Sequence, residues 1–180
     1  TGHHDLRAEQ RRFNQSFQRL KGIEPTTLPK PLQIEYKQLH AQALASKGEV
    51  LNAVREWIEI DKLSNSDSLI VAENHKQLWD SLSSNNVSYL QQVKRVPGDI
   101  FSGWITLALL AKTSPPQYWQ QDIDDWQQLF PTHPATQYIV PRVIQALSQK
   151  PPQPQQIALL LPAVTSQFGK PAEARSEERR

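Results

Sequence analysis

The sequence predicts an all-α fold built from TPR-like antiparallel helical hairpins, arranged as an α-solenoid-like stack. Apolar residues recur at helical spacing over most of the chain up to residue 149, and small residues stand where two consecutive helices would cross. Hydrophobic residues make up 38% of the 180 residues and charged residues 21%, which is enough apolar surface for one ordinary domain with a core. We therefore assign residues 1–149 to a single helical domain.

The first helix is predicted at residues 5–21, where Leu6, Phe13, Phe17 and Leu20 follow a helical rhythm. Gly22 is a typical residue just after a helix end. Residues 23–31 contain three prolines and cannot continue a helix, so we interpret them as a proline-rich linker.

A helical hairpin is predicted next, with helices at residues 32–47 and 49–63. The connection is so short that the two helices must run antiparallel. Ala41, Gly48 and Ala53 are small residues where a TPR repeat has its crossing point and its turn. Lys37 departs from that pattern, because the TPR consensus has tryptophan there.

Three further helices precede residue 113. Asp67 is the expected N-cap of a helix at residues 68–82, and a short helix is predicted at residues 87–94. Asp99 is expected to cap a helix that continues to residue 112 and has few polar positions. We predict that this apolar helix is the central, buried element of the domain.

The last two helical segments are marked by prolines. Ser114 followed by Pro115 predicts an N-cap and first turn, which open a helix that reaches Phe130. The segment at residues 135–149 is interrupted by Pro141, which either kinks it or divides it into two helices.

A second, incomplete domain is predicted after a proline-rich linker at residues 150–155. Residues 157–161 are a short, wholly apolar run that ends at Pro162, as in a buried parallel strand. We expect residues 156–180 to be the stub of an α/β domain followed by a disordered tail, since a single strand is not stable alone.

The residue types that could carry out chemistry or bind a metal do not form a catalytic, cofactor or metal-site pattern in this sequence. The chain has no cysteine, and it contains no nucleophile-elbow, zinc-protease or phosphate-loop motif. His75 lies on the apolar face of its helix, where a packed, hydrogen-bonded histidine is expected. His40 and His133 have no carboxylate at metal-site spacing, and Asp122, Asp124 and Asp125 lack the glycine turn of a calcium loop. The five tryptophans all fall on apolar helix faces, where a role in the core is expected: Trp57, Trp79, Trp104, Trp119 and Trp126. We therefore expect a non-enzymatic protein.

The net charge of +2 arises from basic residues near the two ends, and no basic stripe carries interleaved aromatic residues. The sequence therefore predicts no nucleic-acid partner. The longest apolar run, near Trp104, is too short for a membrane helix.

Four segments resemble one family. Residues 74–82, 103–110 and 130–135 are similar to the helical part of LpoA-like proteins, and residues 156–162 with Phe168, Gly169 and Lys170 resemble the opening strand of a periplasmic-binding-protein-like domain. The resemblance covers residues 32–170. It implies a TPR-like N-terminal domain of a lipoprotein that activates a class A, bifunctional penicillin-binding protein.

The resemblance also implies a location in the periplasm, with anchoring to the outer membrane through a lipid that is absent from this chain. The implied partner is the class A penicillin-binding protein, contacted through the C-terminal domain of the family, and peptidoglycan is a second partner. No catalytic residue is carried over, because the family has none, and the sequence assigns no binding surface.

Two alternatives stay open. A generic TPR-like adaptor for another protein would share every feature except the strand at residues 157–161. A peptidoglycan-binding or hydrolytic domain would need paired carboxylates in a cleft.

Overall fold

The computed structural model describes residues 22–151, together with Arg11, Gln15, Gln18 and Arg19. This part of the chain contains one 3-10 turn, Pro25–Thr27, and no β-strand. Its helices are α1 (Lys30–Ser46), α2 (Val50–Leu63), α3 (Ser68–Ser83), α4 (Val87–Gln91), α5 (Ile100–Thr113), α6 (Trp119–Leu129), α7 (Ala135–Tyr138) and α8 (Val140–Ser148). The all-α prediction is confirmed. The predicted strand at residues 157–161 and the tail lie outside the described residues.

The α1–α2 hairpin forms at the predicted small residues. Ala41 and Ala53 are fully buried where the helices pack against each other. Gly48 has a φ of +83°, and the turn is closed by hydrogen bonds from Gly48 N to Ala45 O and from Glu49 N to Leu44 O. This pair of bonds is a Schellman C-cap, which favours glycine at the left-handed position.

Lys37, which replaces the consensus tryptophan, is accommodated by an ion pair between its Nζ and Glu56 Oε2 at 2.9 Å. The pair joins α1 to α2 at the half-buried edge of the hairpin. A polar residue at this position is therefore compatible with the TPR-like packing.

Helices α3 and α5 begin at the predicted aspartate caps. The Asp67 carboxylate accepts hydrogen bonds from the backbone N–H groups of Leu69 and Ile70, and Asp99 accepts one from Ser102 N at 2.8 Å. Each cap satisfies amide groups that have no partner within the helix.

Helix α5 is the centre of the fold, as predicted. Eight of its fourteen residues are buried, and it contacts α2, α3, α4 and α6. The core around it is formed mainly by large side chains that are less than 2% exposed: Trp57, Trp104, Trp126, Ile60, Leu78, Leu82, Ile105 and Leu107. Trp79 and Trp119 are half-buried against this core.

The predicted start of α6 is wrong. The helix begins at Trp119 rather than Pro115, because Pro116 disfavours helical backbone at the residue before it. Ser114 instead ends α5, and its hydroxyl donates to the Asp122 carboxylate. The resulting turn at residues 115–118 separates α5 from α6.

The structure also changes one predicted helix end and decides between the two alternatives for the last helical segment. Helix α4 ends at Gln91, three residues earlier than predicted. Pro141 lies in the first turn of α8, so it divides the last segment into α7 and α8 instead of kinking one helix.

No helix in the described part of the chain is long and apolar enough to cross a bilayer.

Candidate interaction surface

A buried cluster unites the three helical segments that carry the family resemblance. Asn74 and His75 come from α3, Gly103 and Trp104 come from α5, and His133 comes from the turn before α7. All five residues are buried. The Trp104 ring lies edge-on to both histidines, with ring centroids 5.2 Å from His75 and 5.1 Å from His133. We call these five residues the motif cluster.

One side of the motif cluster is a hydrogen-bond network between α2 and α3. His75 Nε2 lies 2.6 Å from Asp61 Oδ2, and Asn74 Nδ2 donates to Asp61 Oδ1 at 2.5 Å. Asn74 Nδ2 also donates to Trp57 O at 2.7 Å. His75 is therefore a packed residue that fixes α3 on the end of α2, and the carboxylate gives its buried ring a charge-assisted partner.

The other side of the motif cluster depends on a glycine. His133 Nε2 donates to Ile100 O at 2.8 Å, and His133 Nδ1 accepts from Ala135 N at 3.1 Å. These two bonds hold the imidazole against the backbone of Gly103, where a Cβ atom would come within 2.3 Å of His133 Cδ2. Trp126 Nε1 also donates to Gly103 O at 2.9 Å. Gly103 therefore allows α5 to approach the His133 ring closely.

Burial is the main reason that the pKa of His133 falls from its usual value of 6.5 to about 4, and the charge of His75 lowers it further. The hydrogen bond to Ile100 O and the carboxylates of Asp99 and Asp61 oppose this shift. The folded protein therefore binds the His133 proton more weakly than the unfolded chain.

This difference predicts a loss of stability in acid. The His133 contribution is complete above pH 6.5 and is lost as the pH falls toward 4, because protonation then favours the unfolded chain. Between pH 7.5 and pH 5 we expect His133 to lower the free energy of unfolding by about 2 kcal/mol. Urea denaturation at the two pH values measures the change.

The control for this prediction is His133→Asn, whose side-chain oxygen can still accept from the backbone N–H of Ala135. This variant is less stable at neutral pH because it loses the Ile100 bond, but its stability should change less between the two pH values. An equal pH dependence in the two proteins would assign the acid sensitivity to other groups.

The first surface groove lies between α2 and the turn that leads into α5. It has a volume of about 460 Å³ and is lined by Arg55, Glu56, Ile58, Glu59, Lys62, Gly98, Asp99, Ile100 and Phe101. The Arg55 guanidinium lies 4.0 Å from the centre of the Phe101 ring, a cation–π contact that holds it at the groove wall. We call this the α2 groove.

The charges of the α2 groove are mixed. Lys62 Nζ forms an ion pair with Glu59 Oε1 at 2.6 Å, and Glu56 is shared by Lys37 and His40. The hydrogen bond from the Ser102 hydroxyl is the main cause that lowers the pKa of Asp99, so this carboxylate stays ionised.

A second groove lies on the outer face of α1 and is mainly apolar. It has a volume of about 360 Å³ and is lined by Arg19, Ile23, Leu28, Leu32, Glu35, Tyr36 and Leu39. We call it the α1 groove.

The other histidine and aspartate residues that were candidates for a metal site do not lie together. His40 Nδ1 lies 3.2 Å from Glu56 Oε1 on the hairpin edge, remote in sequence from the motif cluster. Asp124 and Asp125 are exposed on α6, whereas Asp122 is bound by Ser114. Within residues 22–151 and the four described residues before them, no three histidine, aspartate or glutamate side chains are grouped to hold a metal ion.

Sequence reasoning missed Asp61 and Gly103. Asp61 lies at a polar position near the end of α2, where a charged residue is ordinarily solvated. Its role arises only when α3 packs against α2, so the sequence alone does not indicate it. Gly103 could have been identified from the sequence. An isolated glycine within an apolar helix lowers helix stability and often marks a point where another segment packs closely against the backbone.

Comparison with known proteins places the chain in a family. Residues 3–174 match the family model described as "LppC putative lipoprotein". The penicillin-binding protein activator LpoA of Aliivibrio fischeri is 32% identical over 139 residues, which are 76% of this chain and 23% of that protein. The activator of the same name from Photobacterium profundum is 30% identical over 166 residues, 91% of this chain and 27% of that protein. The chain thus spans about a quarter of the length of these curated relatives.

Solved structures support the fold. The N-terminal domain of LpoA from Haemophilus influenzae matches with a TM-score of 0.69 and 19% identity, over 80% of this chain and 66% of that one. A longer Haemophilus influenzae LpoA chain matches with a TM-score of 0.67 and 19% identity, over 79% of this chain and 27% of that one. At this identity the likeness concerns the fold alone. With the family match over residues 3–174, the chain belongs to the LppC lipoprotein family, as a relative of the LpoA activators.

Proposed function

We propose that this chain is the non-catalytic helical part of a lipoprotein that activates a class A penicillin-binding protein and so regulates peptidoglycan synthesis. The observation that carries the proposal is its similarity, at 30% and 32% identity, to two proteins named penicillin-binding protein activators. The likeness to the N-terminal domain fold supports the same conclusion.

The proposed mechanism is binding and spacing. A stack of helical hairpins offers an extended, semi-rigid surface, which suits a regulator that must reach from an outer-membrane anchor to an enzyme across the periplasm. In this proposal residues 1–149 form the helical domain, residues 150–155 are a linker, and residues 156–180 begin a periplasmic-binding-protein-like domain. Peptidoglycan is proposed as a second partner along the same path.

The absence of catalysis in this proposal is supported by the chemistry of the described residues. His75 of the motif cluster and its partner Asp61 hold α3 on α2, and the carboxylates that line the α2 groove are held by ion pairs or by a helix cap. A muropeptide digestion assay tests this point, and we expect no cleavage.

The decisive experiment titrates the complete chain against a purified class A penicillin-binding protein. Binding is measured by pull-down and by titration, while glycan polymerisation and transpeptidation are followed in the same samples. Binding with faster synthesis would support an activating surface on the helices, and binding without it would support a spacer. If the chain neither binds the enzyme nor stimulates synthesis, the result would favour the alternative, a generic TPR-like adaptor.

The same titration can test whether the α2 groove takes part. Arg55→Glu combined with Lys62→Glu reverses two charges at the groove, and Lys76→Glu reverses an exposed charge on α3 as the matched control. Weaker binding of the double variant alone would assign the contact to the α2 groove. Equal binding of all three proteins would assign it to another surface.

A further inference from the structure

The turn between α2 and α3 contains two consecutive residues other than glycine in the left-handed region. Asn65 has a φ of +50° and Ser66 has a φ of +65°, and both residues are exposed. Such angles are uncommon outside glycine, although asparagine adopts them more readily than most residues. The turn is closed by a hydrogen bond from Asp67 N to Ser64 O at 3.0 Å. The Asn65–Ser66 peptide bond therefore lies at the tip of an exposed turn.

The two groups that can react with each other in this dipeptide are only weakly held by the fold. The backbone N–H of Ser66 makes no hydrogen bond to any residue that the structure describes. The Asn65 carboxamide has one hydrogen bond to those residues, which Lys30 Nζ donates to its Oδ1 at 3.5 Å. The ammonium group draws electron density from the carbonyl group, and this favours nucleophilic attack on Asn65 Cγ.

The other asparagines that the structure describes are restrained, because a closer hydrogen bond holds each carboxamide. The partners are Glu49 Oε2 for Asn52 at 3.1 Å, Trp57 O for Asn74 at 2.7 Å, Ser81 O for Asn85 at 2.6 Å, and Ser88 N for Asn86 at 2.7 Å. Asn52 and Asn74 also lie within helices, where the next N–H is bonded to the preceding turn. Among the described asparagines, Asn65 alone combines a weakly held carboxamide with an unbonded nitrogen in the next residue.

We propose that Asn65 is a site of spontaneous deamidation. The Ser66 nitrogen loses its proton and forms a bond to Asn65 Cγ, and the carboxamide nitrogen leaves with that proton as ammonia. Water then opens the cyclic imide. Cleavage of the bond between the nitrogen and Cγ gives aspartate at position 65, and cleavage of the bond to the main-chain carbonyl carbon gives isoaspartate. The inference does not depend on the proposed function.

Both products change the junction between α2 and α3. Each replaces a neutral carboxamide by a carboxylate, so the formal net charge of +2 falls by one. In isoaspartate the main chain runs through the side-chain carbons of residue 65, which inserts one extra backbone carbon between Ser64 and Asp67. The insertion lengthens the ring that the Asp67 N to Ser64 O bond closes, and it loosens the start of α3, which Asp67 caps.

The test compares the deamidation rate of each asparagine in the folded chain with its rate in a free peptide of the same local sequence. The full chain and peptides centred on Asn52, Asn65 and Asn85 are incubated at mildly alkaline pH, and mass spectrometry of proteolytic fragments measures both products. The ratio of the two rates reports the effect of the fold alone. We expect the fold to slow Asn65 by less than about threefold, and Asn52 and Asn85 by more than about tenfold, because these two must first unfold locally.

Two substitutions in the full chain test the chemistry. Ser66→Gly removes the side chain next to the attacking nitrogen and suits the left-handed backbone, so the rate at position 65 should rise by about tenfold while the protein stays folded. Ser68→Gly is the matched control, because Ser68 is also exposed but does not follow an asparagine. Asn65→Gln should remove the acidic form that ion-exchange chromatography separates, since its longer side chain closes an imide ring much more slowly.

Each result decides the proposal. Little slowing of Asn65 by the fold, with acceleration in Ser66→Gly alone, would support it. Slowing of Asn65 as strong as that of Asn52 and Asn85 would overturn it, because the turn would then protect the carboxamide. An unchanged rate in Ser66→Gly, or an undiminished acidic form in Asn65→Gln, would also overturn it.

Discussion

Replacing Gly103 with alanine is expected to lower the free energy of unfolding by about 3 kcal/mol. The new Cβ would lie 2.3 Å from His133 Cδ2, 2.5 Å from His133 Nε2 and 3.2 Å from Phe130 Cδ1. The imidazole has little freedom to move away. Two hydrogen bonds hold it, and the rings of Trp104 and Trp126 each lie 5.1 Å from it.

Urea denaturation measures this cost, and a double-mutant cycle with His133→Ala assigns it to the contact. Removing the imidazole makes room for the alanine, so Gly103→Ala should cost less than about 1 kcal/mol in the His133→Ala background. A cost that is the same in both backgrounds would show that the close approach to His133 is not its cause.

Replacing Trp104 with alanine is expected to lower the free energy of unfolding by about 4 kcal/mol. Trp104 is completely buried, and its ring joins the two histidines that come from separate segments of the chain. Its loss removes a large apolar surface and leaves a cavity at the centre of the fold, which closely packed neighbours fill only in part.

Trp119→Ala is the matched control for this prediction. Trp119 is half-buried at the start of α6 and packs against the edge of the core, so its removal should cost about 1 to 2 kcal/mol. Chemical denaturation of the two variants at neutral pH gives the comparison. Equal losses would mean that the motif cluster is no more important to stability than the periphery.

The helices were predictable because their signals are local. Asp67 and Asp99 cap the helices that follow them, Gly48 closes a Schellman turn, and the apolar run around Trp104 became the central helix. Each of these features depends on residues within a few positions of one another. The predicted start of α6 at Pro115 is wrong, because Pro116 disfavours helical backbone at Pro115 and the helix begins only at Trp119.

The motif cluster was not predictable in the same way. The sequence showed that His75 lies on an apolar helix face, but its partner Asp61 is 14 positions earlier on another helix. Similarly, His133 meets Ile100 across 33 positions and rests on Gly103 through a contact that exists only after folding. Interactions of this kind depend on how the helices pack, and no local pattern encodes that packing.

The motif cluster is expected to change how the helical stack unfolds. In a simple helical-repeat array each repeat touches only its neighbours, and the ends can melt separately. Here Trp104 of α5 touches His75 of α3 and His133 next to α7, and Tyr138 of α7 lies 6.1 Å from His75, so elements far apart in the chain share one centre. Residues 30–148 should therefore melt in a single cooperative step, and cutting the chain at the 115–118 turn should leave neither half folded.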